Sequence, residues 1–155
     1  MLSIDSLMSK AVLTAEIEET VAAVSKRMGD ASVGAVLIVE ADRLAGIFSE
    51  RDLLTRVIAA GRDPAATEVG SVATRDVVSV DPKVSLRACA DTLKAHGVRH
   101  LPVVEEGRIV GIISARDFFE AVTGELESYI ERHRYEEQIQ GNVDPYDHMG
   151  GAYGR

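Results

Sequence analysis

The sequence predicts an α/β fold made by internal duplication of one β-α-β-β-α unit, followed by a long C-terminal helix. The first observation behind this prediction is a repeat. When the sequence is shifted against itself by 65 residues without a gap, residues 8–57 align with residues 73–122, and 12 of the 50 aligned pairs are identical. A period this long that occurs only twice indicates a duplicated supersecondary unit within one domain. The second observation is that β-branched runs and helical patterns follow the same order in both copies. Because two such copies usually face each other, the clefts between them are natural ligand sites.

Each copy predicts the same elements in turn. A short β-branched run is followed by apolar residues at helical spacing, then by two strands joined by a polar turn, and finally by a second helix. The runs that predict these elements are 12–14, 21–28, 35–39, 44–48 and a helix from Ser49 in the first copy, and 77–80, 86–93, 101–104, 109–113 and a helix from Ser114 in the second.

The helical pattern that starts at Ser114 continues beyond the end of the repeat. Apolar residues recur through Phe119, Val122, Leu126 and Ile130, and the pattern fades near residue 140. The segment after it has little apolar periodicity, which is typical of a mobile tail. Residues 61–67, which include Gly61 and Pro64, form the predicted hinge between the copies. The predicted boundaries are a first repeat at 1–62, a second repeat at 63–123, a helical extension at 124–140 and a tail at 141–155.

Composition narrows the range of partners and compartments. The net charge is −8, and an acidic chain is a poor candidate for binding a nucleic-acid polymer or an anionic membrane surface. The sequence has neither an apolar run long enough to span a membrane nor a secretory leader pattern. Cys89 is the one cysteine, so it forms no internal disulfide, and its place in a helical apolar repeat predicts a buried residue. We therefore expect a soluble, cytoplasmic protein.

The repeat contains one motif with recognisable chemistry, Gly-φ-φ-Ser-x-Arg-Asp, at 46–52 and 111–117. A Ser at the first position of a helix and an Asp three residues later both lie at the helix N-terminus, which suits a phosphate, while the Asp can accept from vicinal sugar hydroxyls. The neighbouring Arg can add a phosphate contact. The alternative interpretation is structural, because Ser-x-x-Asp is also a helix-capping box.

These residues resemble a known family. The order β-α-β-β-α, ending in Gly-Ile-Phe-Ser-Glu-Arg-Asp-Leu and Gly-Ile-Ile-Ser-Ala-Arg-Asp-Phe, is similar to a tandem pair of cystathionine-β-synthase (CBS) domains, a Bateman module. The stretches 77–82 and 98–104 resemble the family's other signatures, and the resemblance covers about 4–123. It implies an α/β module that usually dimerises into a flat disc and binds adenine nucleotides in clefts between the copies.

The resemblance also implies roles for individual residues. Asp52 and Asp117 would bind the ribose hydroxyls. The first copy has Gly34–Leu37 where the second has Arg-His-Leu-Pro, so we expect the cleft around Asp117 to bind phosphate more tightly. The remaining implied ligand-binding residues are Ser49, Arg51, Ser114 and Arg116 near ribose or phosphate, and Thr14, Val36, Ser79, Arg99, His100, Leu101 and Pro102 around the base and phosphate.

The predicted function is that of a stand-alone regulatory module. It would bind an adenine nucleotide (AMP in the first place, with ADP, ATP or an NAD-type dinucleotide as variants) and signal through a conformational change. We expect a homodimer, an unidentified regulated protein, no obligatory cofactor, no metal site and no enzymatic activity, because the sequence lacks Ser-His-Asp order, a Walker loop and Cys-x-x-Cys. Two alternatives remain: a sensor of an S-adenosylmethionine-type ligand, and a structural homodimer whose Ser-x-x-Asp sets are only caps.

Overall fold

The computed structural model describes residues 2–140. The chain to Arg116 forms one compact unit, which contains both hairpins, and the helix from Asp117 onward belongs to a second. The predicted tail at 141–155 lies outside the described residues. The elements in chain order are α1 (Ile4–Leu7), β1 (Thr14–Glu16), α2 (Val21–Ala31), β2 (Ala35–Glu40), β3 (Arg43–Ser49), α3 (Glu50–Asp52) with a π-helical continuation (Leu53–Ile58), α4 (Val69–Val72), α5 (Leu86–His96), β4 (His100–Glu105), β5 (Arg108–Ser114) and α6 (Ala115–Gln140).

The two predicted hairpins are present and equivalent. In the first copy β2 pairs antiparallel with β3, in the second β4 pairs antiparallel with β5, and each ladder shifts register at the same place. Both two-residue turns need positive φ, which Ala41 (51°) and Asp42 (61°) adopt in one hairpin and Glu106 (49°) and Gly107 (80°) in the other. Two successive positive φ values match the right-handed twist of the paired strands. The duplication therefore extends to backbone detail.

The first strand of the unit differs between the copies. β1 pairs parallel with β2, whereas the run at 77–80 forms only a bridge from Val80 to Val103. The prediction of a strand at 77–80 is therefore wrong. The reason lies in the neighbouring strand. The N–H of Leu37 donates to the carbonyl of Leu13 at 3.0 Å, but its counterpart Pro102 has no N–H to donate, and the ladder cannot extend.

The core of the compact unit that ends at Arg116 confirms which faces of the predicted helices are buried. Val21, Val24 and Met28 of α2 are buried against the sheet residues Ile38 and Phe48. Cys89 of α5 is also buried, and burial raises the pKa of its thiol. At about 25 cal/mol per Å² of apolar surface removed from water, side chains such as these supply the main stabilising free energy.

Two short helices were not predicted from the sequence. α1 and α4 are four residues each and are separated by the same 65 residues as the other repeated elements. Helices this short present no apolar periodicity. The structure therefore extends the repeat upstream of the sequence alignment, to Ile4 and Val69.

The second helix of each copy follows a different course. In the first copy Ser49 caps α3, and the chain then widens into the π-helical segment Leu53–Ile58. In the second copy α6 runs for 26 residues without interruption, which confirms the long C-terminal helix. At 1.5 Å per residue α6 is about 39 Å long. Its exposed large apolar side chains are Phe119, Val122, Leu126, Tyr129, Ile130, Tyr135 and Ile139.

Candidate functional site

A cavity of about 310 Å³ opens within the first unit, and both copies contribute to its wall. From the first copy come the beginning of β2, the end of β3 and the start of the helix that follows. From the second copy come the segment after α4 and the turn that enters β4. The lining residues are Gly34, Ile47, Ser49, Glu50, Arg51, Asp52 and Arg56 from the first copy, and Thr74, Gly97, Val98, Arg99 and His100 from the second.

Backbone hydrogen bonds join the two copies at this cavity. The N–H of Ile47 donates to the carbonyl of Thr74 at 2.9 Å, and the N–H of Thr74 donates back to Ile47 at 2.8 Å. This approach explains the Gly of the motif, because a Cβ at Gly46 would lie 3.0 Å from the Thr74 carbonyl oxygen. The equivalent Gly111 approaches Met8 and Ser9 in the same way. The motif glycines therefore let the copies pack closely.

The Ser49–Asp52 pair has the geometry of a capping box. The Ser49 N–H donates to Asp52 Oδ2 at 3.0 Å, and the Asp52 N–H donates to Ser49 Oγ at 3.3 Å. Asp52 is 7% exposed and is the one buried charged residue among those described. A carboxylate offers about four lone-pair sites on two oxygens. The cap engages one oxygen, so accepting capacity remains for ligand hydroxyls at the cavity.

Arg56 lines the same cavity and was not among the predicted site residues. Its Nε lies 3.5 Å from Asp52 Oδ1, and its Nη1 donates to the carbonyls of Ala73 at 3.2 Å and Val72 at 3.5 Å. The sequence contains one signal for it, the i,i+4 spacing from Asp52. The repeat comparison concealed it, because the corresponding residue of the second copy is Ala121.

Arg99 and His100 line the cavity of Asp52, although they belong to the other copy. The sequence comparison assigned them to the cleft around Asp117, whereas the structure brings them to the wall that contains Asp52; which cleft binds phosphate more tightly stays a prediction. The Arg99 carbonyl accepts from the Ala115 N–H at 2.6 Å, so its backbone lies beside its own motif while the residue also borders the opposite one. The order of residues within one copy does not show that Arg99 and His100 line the cavity that contains the motif of the other copy.

The remaining predicted residues lie elsewhere. Thr14 and Ser79 are exposed and do not line the cavity, whereas Thr74 does. Val36, Leu101 and Pro102 are buried within their strands. Ser114 ends β5 and is followed by Arg116 and Asp117 at the start of α6; the ligand roles of these three residues stay predictions.

The charges around the cavity differ from those of the chain as a whole. Three arginines (51, 56 and 99) and His100 line the cavity together with two carboxylates, Glu50 and Asp52. The lining is thus net positive by one with a neutral histidine, on a protein whose net charge is −8. Arginine donors arranged in this way favour an anionic ligand such as a phosphate.

Two features are absent from the part of the chain that the structure describes. Within residues 2–140, no three His, Cys, Asp or Glu side chains are grouped so as to hold a metal ion. In the same part of the chain, none of the helices combines the length and the apolar character that a membrane span requires.

Comparison with known proteins agrees with the repeat and the fold. The CBS domain family model matches residues 4–59 and again 69–124. The CBS domain-containing protein YhcV of Bacillus subtilis is 32% identical over 117 residues, which covers 76% of this chain and 83% of that protein. Hypoxic response protein 1 of Mycobacterium tuberculosis is 32% identical over 112 residues, covering 72% of this chain and 78% of that protein.

Solved structures share the same architecture. The crystal structure of hypoxic response protein I, with two coordinated zinc ions, has a TM-score of 0.68 and 30% identity and covers 77% of this chain and 98% of that one. A CBS domain protein of Pyrobaculum aerophilum complexed with AMP has a TM-score of 0.68 at 23% identity and covers 75% of this chain and 89% of that one. Proteins built from a CBS pair are regulatory modules. The chain belongs to the CBS-domain family and carries two CBS domains in tandem.

Proposed function

We propose that this protein is a regulatory module that binds an adenine nucleotide, AMP in the first place, in the cavity containing Asp52. The observation that carries the proposal is the composition of that wall. It combines a buried carboxylate beside a serine hydroxyl from one copy with an arginine from the other. A volume of about 310 Å³ is at the lower end of the usual range for small-molecule sites.

Each part of the ligand has a matching group. The carboxylate of Asp52 accepts the vicinal ribose hydroxyls, and Arg51 and Arg99 make charge-assisted bonds to phosphate. Ile47 and Val98 offer apolar surface to the base. The AMP complex of the P. aerophilum protein is a precedent for this ligand in the same fold, while the assignment here rests on the lining residues. Asp117 and its neighbours are proposed as a second, weaker site.

Signalling follows from the position of the cavity. A ligand that contacts both copies stabilises one arrangement of the copies over others, and a partner protein can read that difference. We propose that the protein acts as a cytoplasmic homodimer without catalytic activity of its own. The exposed apolar residues of α6 support the dimer, because a stripe of large apolar side chains in water favours association.

The two other functions make different predictions about binding. A site for S-adenosylmethionine needs no phosphate, so it would bind AMP no more tightly than adenosine. A purely structural dimer, in which Ser49–Asp52 is only a cap, would bind neither.

A thermal-shift panel with AMP, adenosine, 2′-deoxy-AMP and S-adenosylmethionine separates these functions, because a ligand specific for the native state raises the melting temperature. We expect AMP to give the largest shift, with smaller shifts for adenosine and for the 2′-deoxy analogue. A shift with S-adenosylmethionine alone would replace the nucleotide assignment. No shift with any of the four would favour the structural dimer.

A further inference from the structure

Arg56 has contacts that neither a helix cap nor a phosphate site requires. It lies four residues after Asp52, on the π-helical segment Leu53–Ile58. Its Nε faces Asp52 Oδ1 at 3.5 Å, on the opposite carboxylate oxygen from the one that the cap engages. The two oxygens of Asp52 are thus oriented from two directions, by the backbone at Ser49 and by a guanidinium.

The other end of the guanidinium is held by the second copy's entry segment. Nη1 donates to the carbonyls of Val72 and Ala73, at the end of α4. The next residue, Thr74, is the one that exchanges two backbone hydrogen bonds with Ile47 at the cavity wall. Arg56 therefore bridges the carboxylate of one copy and the backbone with which the other copy closes the same cavity.

These contacts fit positioning better than direct phosphate binding. An arginine has five N–H donors. Arg56 directs its Nε toward Asp52, and its Nη1 donates to backbone carbonyls. The side chain of Asp52 is 10% exposed against 49% for that of Arg56, and the arginine places a positive charge 3.5 Å from this buried carboxylate, whose burial is costly unless it is paired. The equivalent residue in the second copy, Ala121, has no donor.

Building on the proposed function, we propose that Arg56 is a positioning residue: it holds the carboxylate of Asp52 in the orientation that accepts ribose hydroxyls and fixes it to the backbone at Val72–Ala73. It contributes to ribose recognition without contacting the ligand's phosphate. This device belongs to the first cleft only, because of the alanine in the second copy.

The test is a set of calorimetric titrations with AMP, 2′-deoxy-AMP and adenosine. Arg56→Ala should weaken the binding of AMP and the binding of adenosine by the same factor, about tenfold. It should also lower the preference for AMP over 2′-deoxy-AMP toward the value of Asp52→Ala. Arg51→Ala is the matched control from the same wall. It should weaken the binding of AMP more than the binding of adenosine, and it should keep the preference for AMP over 2′-deoxy-AMP. Arg56→Lys, which keeps the charge beside Asp52 and disturbs the fold less, should retain part of that preference.

Three results would overturn the inference, and they differ from one another. If Arg56→Ala weakens AMP but not adenosine, the arginine contacts phosphate. If the melting temperature of Arg56→Ala and Arg56→Lys falls while the ribose preference of both stays at the wild-type value, the role is structural. If the wild-type protein binds none of the three ligands, the proposed function fails and the role of Arg56 in ribose recognition fails with it.

Discussion

Asp52 is a residue whose two carboxylate oxygens have different surroundings. Its Oδ2 completes the capping box with Ser49, and its Oδ1 faces Arg56. An N-terminal cap contributes about 1 kcal/mol to stability. The two interpretations of the Ser-x-x-Asp motif, cap and ligand site, are therefore compatible, since a capped carboxylate is already oriented at the cavity wall before a ligand arrives.

Gly46 should tolerate no side chain. A Cβ there would lie 3.0 Å from the Thr74 carbonyl oxygen, which is held by a backbone hydrogen bond and cannot move freely. We expect Gly46→Ala to lower the free energy of unfolding by about 1–3 kcal/mol in urea denaturation. Gly29→Ala is the matched control: nothing lies within 4 Å of a Cβ in α2, so it should stabilise by up to about 1 kcal/mol. Equal effects at the two glycines would contradict this account.

The Glu19–Arg27 pair makes part of the stability depend on pH. The hydrogen bond from Arg27 lowers the pKa of Glu19, and Arg27 also donates to the Thr14 carbonyl at 3.0 Å. A lowered pKa means that the contribution is complete above the ordinary glutamate pKa and is lost as the pH falls through the folded-state pKa.

We therefore expect Arg27→Ala to cost about 1 kcal/mol at pH 7 and progressively less below pH 4, as measured by denaturation at a series of pH values. Lys26→Ala removes the more exposed Lys26–Asp30 pair and should change stability little at either pH. A cost for Arg27→Ala that persists unchanged at pH 3 would show that the pair's charge is not responsible.

At the level of elements, the sequence predicted what periodicity encodes. Both hairpins and the helices α2, α5 and α6 were predicted because alternating and helical apolar patterns are long enough to read there. The four-residue helices α1 and α4 carry no such pattern. The missing strand at 77–80 depends on Pro102 in a neighbouring strand, and the π-helical turn after Asp52 has no marker in the sequence.

The exposed stripe of α6 predicts self-association. Phe119, Val122, Leu126 and Tyr129 recur at spacings of three and four, so they share one face of the helix. We expect Leu126→Glu to raise the monomer fraction in sedimentation equilibrium, because it places a charge in this stripe. Ser128→Glu, on another face of the same helix, is the control and should leave the association unchanged. A dimer unaffected by Leu126→Glu would assign the interface to other helices.

For the molecule as a whole, the repeat predicted the components of the site but not their combination. Ser49, Arg51 and Asp52 were recognisable because the motif occurs twice. The position of Arg99 at the same cavity as Asp52 was not, because a duplicated sequence gives the order of residues within each copy and does not show which residues line a common cavity. Arg56 was not predicted for a related reason. A comparison of the two copies identifies residues that occur in both, and Arg56 occurs in the first copy alone.

Calorimetry on matched variants tests most directly the proposal that AMP binds one cavity to which both copies contribute. Wild-type protein should show one strong AMP site per chain. Asp52→Ala and Arg99→Ala, from different copies, should each weaken that same site by about tenfold or more, whereas Asp117→Ala should leave it nearly unchanged. A strong site that survives both Asp52→Ala and Arg99→Ala but is lost in Asp117→Ala would contradict the account.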